Sequence, residues 1–484
     1  MKDYEVIIIG SGFSGLCAAI KLKENNIDNF IILERDEALG GTWWRNSYPG
    51  AAVDVPSRLY SFSFEKFSWS RLYAKRDEIY EYTKQLIETN NLTEKSRTNI
   101  AISSLHYDEK NCTWQVNLSS GESLQSKFII SATGGLSQPS IPHIPGLDSY
   151  KGKYFHSSHW EHDFDCQNKN IVVIGTGASS VQIVPELAKI AKKLYVIQRT
   201  PHWILPRPDR ALKTWERKLL QLDSFYKALR ALTFVQNESR ALFFVKFPKL
   251  AKLVQLLALR HLKKQVPNKE LRAKLIPNFD IGCKRVLVCN DYYPSLSQAN
   301  VNLVTEGIDC FYEKGIQLKT KEKIEADLVV FATGFHASEN AIPFEIKGKN
   351  NLSLSQYWKE GAKAYYGISV ANFPNLFMAM GPNTGTGHTS VIYFIESQMN
   401  YIIDAIQKSK AKAWKSFEIK EEVQDSYNEE LQEKMKNTIW MKGACKSWYL
   451  TKDGKNTTMY PDFSFVYRRN TKKFIEAFHH FEYN

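Results

Sequence analysis

Glu34 and Arg199 hold the same place in two copies of one pattern, and they carry opposite charges. In "EVIIIGSGFSGLCAAIKLKENNIDNFIILERD" an apolar run, Val6 to Ile9, leads into Gly10-x-Gly12-x-x-Gly15. A helical pattern follows, and a second apolar run ends at Glu34. "NIVVIGTGASSVQIVPELAKIAKKLYVIQRTP" repeats the plan with Gly175, Gly177 and, in third place, Ser180. Glu34 and Arg199 each lie 24 residues after the first glycine of their copy (10 to 34, 175 to 199). A strand, a glycine turn and a helix start together present free N–H groups and a positive helix end to a pyrophosphate. A carboxylate at the second strand end accepts hydrogen bonds from ribose hydroxyls and repels a 2′-phosphate. A guanidinium there binds that phosphate. The first copy therefore suits a dinucleotide with free ribose hydroxyls, and the second suits NADPH.

Two further segments must position these units. "FIISATGG" (128–135) and "LVVFATGF" (328–335) are buried-strand patterns ending in Ala-Thr-Gly. In flavoproteins with two dinucleotide domains such strands carry the chain between domains. The expected fold class is α/β, with two doubly wound, Rossmann-like dinucleotide-binding domains and a helical insertion. The expected division is 1–140 for the first part of an FAD-binding domain and 141–165 for an interdomain linker. An NADPH-binding domain follows over 166–330, carrying the helical insertion 210–280. Residues 331–484 return to the FAD domain and a C-terminal tail.

"GGTWWRNSYPGAAVD" (40–54) has the pattern Gly41-x-Trp43, then Tyr48-Pro49-Gly50, then Asp54. "YKGKYFHSSHWE" (150–161) gives Tyr150, Gly152, His156 and Trp160. With the opening glycine motif, these resemble the Baeyer–Villiger monooxygenases, flavoproteins that insert oxygen beside a ketone carbonyl. Tyr150 stands where that fingerprint usually has Phe, and Glu161 where it has Pro or Asp. "IGCKRVLVCNDYYPSL" (281–296), "GPNTGTGHTSVIYFIESQ" (381–398) and "CKSWYLTKDGKNTTMYPDF" (445–463) are similar to the subgroup around hydroxyacetophenone and cyclohexanone monooxygenases.

The resemblance implies FAD and NADPH as cofactors and oxygen insertion through a C4a-peroxyflavin, giving an ester or lactone. It places cofactor contacts of the first copy at Gly10, Gly12, Phe13, Ser14, Gly15, Glu34, Arg35, Gly41, Thr42, Trp43, Asp54 and Tyr60. Those of the second fall at Gly175, Thr176, Gly177, Ala178, Ser179, Ser180, Arg199, Thr200 and Lys284. Arg285 is the implied catalytic cation, with Asp54 as its carboxylate partner. An arginine suits the task because it stays charged at any working pH. His156 and Trp160 are implied hinge residues. The glycine-rich loop of "MGPNTGTGHTS" leads into an apolar helix from Val391, whose start can favour negative charge on a reduced ring. The tail "WMKGACKSWY" is expected near the substrate pocket, and no metal site is expected.

The formal net charge of +13 is concentrated. Residues 213–285 hold 17 Lys/Arg against 5 Asp/Glu, together with apolar runs such as "ALFFVKFPKLAKLVQLLALRHLKK". Apolar residues at three- and four-residue spacing predict basic amphipathic helices. One reading packs them on their own domain with a solvated basic face. The other is peripheral membrane contact through helices 213–275. No recognition motif for nucleic acid accompanies the charge. The seven cysteines form no CxxC and predict reduced thiols in a cytoplasmic protein. Cys283 and Cys289 have five residues between them, one more than a flavin-facing CxxxxC pair requires. Other readings are an N- or S-oxygenating flavin-containing monooxygenase and a non-catalytic, membrane-associated nucleotide-binding protein. The partners expected are a small ketone, or an amine or sulfide, and O2.

Overall fold

Val6–Ile9 has apolar side chains on both faces of a strand, a pattern that fits only the interior of a parallel sheet. In the computed structural model, which describes residues 2–336, 342–443 and 447–483, the strand Lys2–Ile9 is buried over those four residues. It pairs in parallel with Phe30–Leu33 on one side and Ser123–Ser131 on the other. The register sets Ile9 beside Leu33 and Ser131, so the three strands end at one level. Gly10 then donates its N–H to the Leu33 carbonyl at 2.8 Å, which puts the glycine turn next to Glu34. Antiparallel strands Ile102–Asp108 and Thr113–Leu118 widen the sheet. The strand Leu376–Met378 joins Ser123–Ser131 in parallel and brings the late chain back to the first unit.

The second unit is a five-stranded, wholly parallel sheet. Its order is Val301–Val304, Lys193–Ile197, Asn170–Ile174, Leu328–Phe331, Lys153–His156. The edge strand Lys153–His156 belongs to the stretch read from sequence as a connector, and it pairs with Leu328–Phe331 residue by residue. The fold is mixed α/β with parallel-strand sheets, in keeping with the sequence.

The two units share one close contact. A Cβ on Gly10 (φ +101°) would lie 2.6 Å from the Ala132 carbonyl oxygen, and one on Gly175 (φ +113°) 2.4 Å from that of Ala332. Ala132 and Ala332 are the alanines of the two Ala-Thr-Gly segments. The positive φ and the approach of a backbone oxygen both exclude a side chain at these two positions. In the first unit the third glycine is equally constrained, because a Cβ on Gly15 would overlap the Gly10 oxygen. Ser180 fills the matching place in the second unit, fully buried.

The insertion is helical: Thr214–Leu219, Asp223–Glu238, Ala251–Gln265 and Lys269–Lys274, with a π turn over Leu242–Lys246. Cys17, Cys112, Cys166, Cys289 and Cys310 are free thiols. Cys283 is disulfide-bonded, which corrects the all-reduced expectation for that residue. Its side chain sits close to Gly443, where separate chain segments meet, a proximity that cysteine spacing alone does not reveal. Cys445 lies outside the described residues.

Candidate active site

The first cradle is built at the strand ends. The helix Phe13–Glu24 begins at Gly12 with no side-chain cap, so its first N–H groups stay available. A Cβ on Gly12 would meet only the Gly41 Cα, at 3.9 Å. Glu34 is 6% exposed and accepts from the Ser11 N–H at 2.8 Å and the Ser11 hydroxyl at 2.6 Å. The Ser11 hydroxyl oxygen in turn accepts from the Gly40 N–H at 3.2 Å. Gly41 N-caps the short helix Thr42–Arg45. Trp43 donates from its indole to the Tyr60 hydroxyl at 3.2 Å, and Tyr60 packs edge-on against Phe13. Ser14 and Gly15 are buried in the helix behind the turn. Arg35 turns away to donate to the Ser137 carbonyl at 2.7 Å. Uncapped N–H groups, an open glycine surface and an adjacent carboxylate fit a dinucleotide with free ribose hydroxyls, as FAD has.

The second cradle repeats this with the charge inverted. The helix Ala178–Ala188 starts at Gly177, again without a side-chain cap, and a Cβ there would meet nothing within 4 Å. Thr176 donates to the Thr200 carbonyl at 2.8 Å and fixes the approach to Arg199. Arg199 is exposed, and its charge reaches Lys284. Burial, then the Arg199 charge, pull the Lys284 ammonium below its ordinary range. Burial and Lys284 together push His202 down to about 4, so it stays neutral beside the pair. Among the described residues neither cation has an ion-pair partner. Two adjacent cations without a carboxylate are a receptor for a dianion, and the residues fit the 2′-phosphate of NADPH.

Between the cradles lies Arg285. Its Nε donates to Asp54 Oδ2 at 2.8 Å and its Nη2 to Oδ1 at 2.9 Å, a bidentate pair across 231 residues of sequence. The Asp54 charge raises Arg285 further above its ordinary range. The side chains are 45% and 28% exposed, so solvent screens the pair and its net stabilisation is on the order of 1 kcal/mol. What it provides is orientation: two parallel hydrogen bonds fix the guanidinium plane of a half-exposed side chain. Tyr60 and Tyr449 stand in the same field. Burial pushes both up to about 12, so both keep their protons. Asp54 is carried on a loop pinned to the second unit. Tyr48 donates to Gln182 Oε1 at 3.1 Å, and Gln182 Nε2 donates to the Ala52 carbonyl at 2.9 Å. A side chain on Gly50 would strike the Gln182 carbonyl oxygen at 2.4 Å.

The fingerprint stretch has a physical account. Tyr150 lays its ring over Gly152, where a Cβ would lie 2.2 Å from the Tyr150 hydroxyl, and that hydroxyl donates to Ala326 at 2.9 Å. His156 Nδ1 accepts from the Ser158 N–H at 3.2 Å, so Nε2 carries the proton and donates to the Gly334 carbonyl at 2.9 Å. Burial holds His156 down to about 4. Trp160 packs on Phe155 with centroids 4.9 Å apart. His156 thus ties the first connector to the second Ala-Thr-Gly segment.

The loop before the helix Val391–Ala411 is held by the tail. Asn383 Nδ2 donates to the carbonyls of Asn456 and Met459 at 2.7 and 2.9 Å, and Gly385 N–H to Thr458 at 2.8 Å. Ser390 caps the helix, accepting from Ile392 N–H at 3.2 Å. Tyr449 and Gln182 escaped the sequence reading. Tyr449 lies in the tail flagged from sequence, but nothing in its spacing pairs it with Arg285. Gln182 follows the glycine motif by a helical turn and carries no motif of its own.

Two nucleotide cradles with opposite ribose chemistry, set on either side of an ordered arginine, define an NADPH-dependent flavoprotein monooxygenase. The family described as pyridine nucleotide-disulphide oxidoreductase matches residues 7–238. A Baeyer-Villiger monooxygenase of Pseudomonas aeruginosa is 42% identical over 482 residues, 99% of this chain and 92% of the relative. One of Streptomyces coelicolor is 38% identical over 475 residues, 98% of this chain and 91% of the relative. A solved structure of OTEMO in complex with FAD and NADP superposes with a TM-score of 0.89 at 25% identity, covering 97% of each chain. The chain belongs to the Baeyer–Villiger monooxygenase family.

Proposed function

We propose that this chain inserts one atom of O2 beside the carbonyl of a small ketone, and that Arg285, braced by Asp54, carries the chemistry. FAD, once reduced by NADPH, supplies the activated oxygen. Glu34 and the Gly10–Gly15 turn hold its ribose and pyrophosphate. The Gly175–Ser180 turn with Arg199, Thr200 and Lys284 holds NADPH. Arg285 stabilises negative charge on the attacking oxygen, then on the former carbonyl oxygen. Asp54 keeps the guanidinium in one plane, so no reorganisation is needed as that charge moves. Tyr60 and Tyr449 flank the cation and add no charge of their own at neutral pH. The division into 1–140, 141–165, 166–330 and 331–484 and the hinge role of His156 and Trp160 belong to the same reading. So does peripheral contact of the insertion with a membrane.

The observation that supports the reaction best is the bidentate Arg285–Asp54 pair with its open face. A heteroatom oxygenation has no need of a cation to keep the attacking oxygen anionic. The test is a panel of ketones, thioethers and amines offered to the FAD-loaded protein with NADPH, with products identified by mass. Esters or lactones from ketones support the reading. Sulfoxides and N-oxides alone would overturn it.

A further inference from the structure

The helix Asp223–Glu238 buries several polar side chains and exposes several apolar ones. Tyr226, Thr233, Asn237 and Glu238 are buried. Leu222, Phe225, Leu232 and Val235 face solvent, with 57, 39, 54 and 61% exposed. Phe225, Leu232 and Val235 recur at helical spacing and form one stripe, with Leu222 at the extended residue just before the helix. The stripe cannot simply roll into the core. Glu238 accepts from the Ser464 N–H at 2.6 Å and the Ser464 hydroxyl at 2.5 Å, and its Oε2 lies 3.5 Å from His388 Nε2. Burial works against its charge, yet the contacts from His388 and Ser464 outweigh that and hold its carboxyl below the usual range. Thr233 Oγ1 and Asn237 Nδ2 donate within their own helix, to the Leu229 and Thr233 carbonyls at 2.7 and 2.8 Å. A buried, hydrogen-bonded carboxylate therefore fixes the apolar side outward.

The exposure continues along the chain. Phe247 and Leu250 in the following turn are 58 and 43% exposed, and Leu253, Leu256 and Leu257 of the next helix are 58, 52 and 53%. Lys249, Lys252, Arg260, Lys263 and Lys264 are exposed among them. No helix among the described residues is long and apolar enough to cross a membrane. Outward Leu and Phe flanked by Lys and Arg on helices too polar to span are the composition of a helix lying in a bilayer interface. A second copy of the chain would set one strongly basic face against another. An anionic lipid surface supplies the opposite charge and takes the apolar side chains.

We infer that the exposed helices of 222–264 dock the protein peripherally on an anionic bilayer, with Glu238 as the residue that aims them outward. This deepens the membrane contact proposed above and is independent of the oxygenation chemistry.

The test is co-sedimentation of the FAD-loaded full chain with vesicles of phosphatidylcholine alone, or with about one-third phosphatidylglycerol, at low and high salt. The comparison is a variant carrying L232S, V235S, L253S and L256S, and NADPH oxidation is measured in parallel. The wild type should pellet with the anionic vesicles and be released by salt, as screening of surface charge requires. The variant should bind at least about tenfold more weakly, since it removes four apolar side chains from the contact, and should oxidise NADPH at the wild-type rate. Absence of binding to anionic vesicles overturns the inference. So does a wild-type dimer that the four serines convert to a monomer, which would make a second copy the occupant. Where the variant loses its flavin or its helical circular dichroism, a charge variant, K252E with K263E, replaces it and must also lose anionic binding.

Discussion

Arg285 and Asp54 come from the two different nucleotide-binding units and meet through two parallel hydrogen bonds of 2.9 and 2.8 Å. The pair bridges the two units, and the proposed reaction depends on it. Asp54 rides on a loop held to the second unit by Tyr48, Gly50 and Gln182, while Arg285 follows the turn at Gly282, whose φ is +97°. The orientation of the cation therefore depends on how the two units sit together.

Asp54→Asn keeps the shape of the brace and removes its charge. Ester formation should fall about 10- to 100-fold, the scale of losing one charge-assisted hydrogen bond of about 1.5–3 kcal/mol. The KM for NADPH should barely move. Product yield per NADPH consumed is the measurement, and unchanged coupling would remove Asp54 from the site.

Arg199→Ala and Lys284→Ala each delete one of two cations that have no carboxylate partner. The KM for NADPH should rise about tenfold or more in each, from lost charged contacts. The KM for NADH, which lacks the 2′-phosphate, should stay near its starting value. A parallel loss with both nucleotides would mean that the pair supports the fold and not the phosphate.

Gly175→Ala forces a methyl to within 2.4 Å of the Ala332 carbonyl oxygen at a positive φ. The variant should keep FAD, whose cradle lies in the other unit, and lose NADPH-driven reduction. Flavin absorbance on purification and its bleaching by NADPH under argon check this. Loss of FAD as well would show that the two units fold as one.

His156, His202 and His479 are held by burial to about 4, below the ordinary 6.5. Between those values the unfolded chain binds protons that the folded chain refuses, so folding stability increases with pH. It is complete above about pH 6.5 and declines as pH falls toward about 4, by up to about 1.4 kcal/mol per pH unit for each histidine. Urea midpoints measured across that window should drop, and His156→Gln should show a shallower drop. A flat midpoint between neutrality and pH 5 would contradict the buried, neutral state.

Periodicity made the two cradles legible. Glu34 and Arg199 follow from a glycine turn, a helix and a strand of fixed length, because local geometry alone sets that spacing. Arg285 could not be found this way. It lies 231 residues from Asp54, and only the family resemblance joined them. Tyr449 lies in a tail that the sequence placed near the pocket, but nothing there pairs it with Arg285, because that proximity depends on how the tail folds back. The insertion shows a different limit. Helical spacing reveals that Phe225, Leu232 and Val235 share a face, but not which way that face points. Direction is set by Glu238 meeting Ser464, a contact made across 226 residues. The stretch 150–160 read as a connector because prolines precede it, yet Lys153–His156 completes the second sheet through backbone pairing that side-chain pattern does not encode.

The most direct test of the account is a single turnover of Arg285→Ala. The FAD-loaded variant is reduced with NADPH under argon, mixed with air-saturated buffer and a ketone, and the ester is quantified against the flavin present. The account predicts that reduction remains measurable and oxygen is consumed while ester falls below detection, whereas the wild type should make close to one ester per flavin. Wild-type ester yield from the variant would show that the guanidinium beside Asp54 does not carry the reaction.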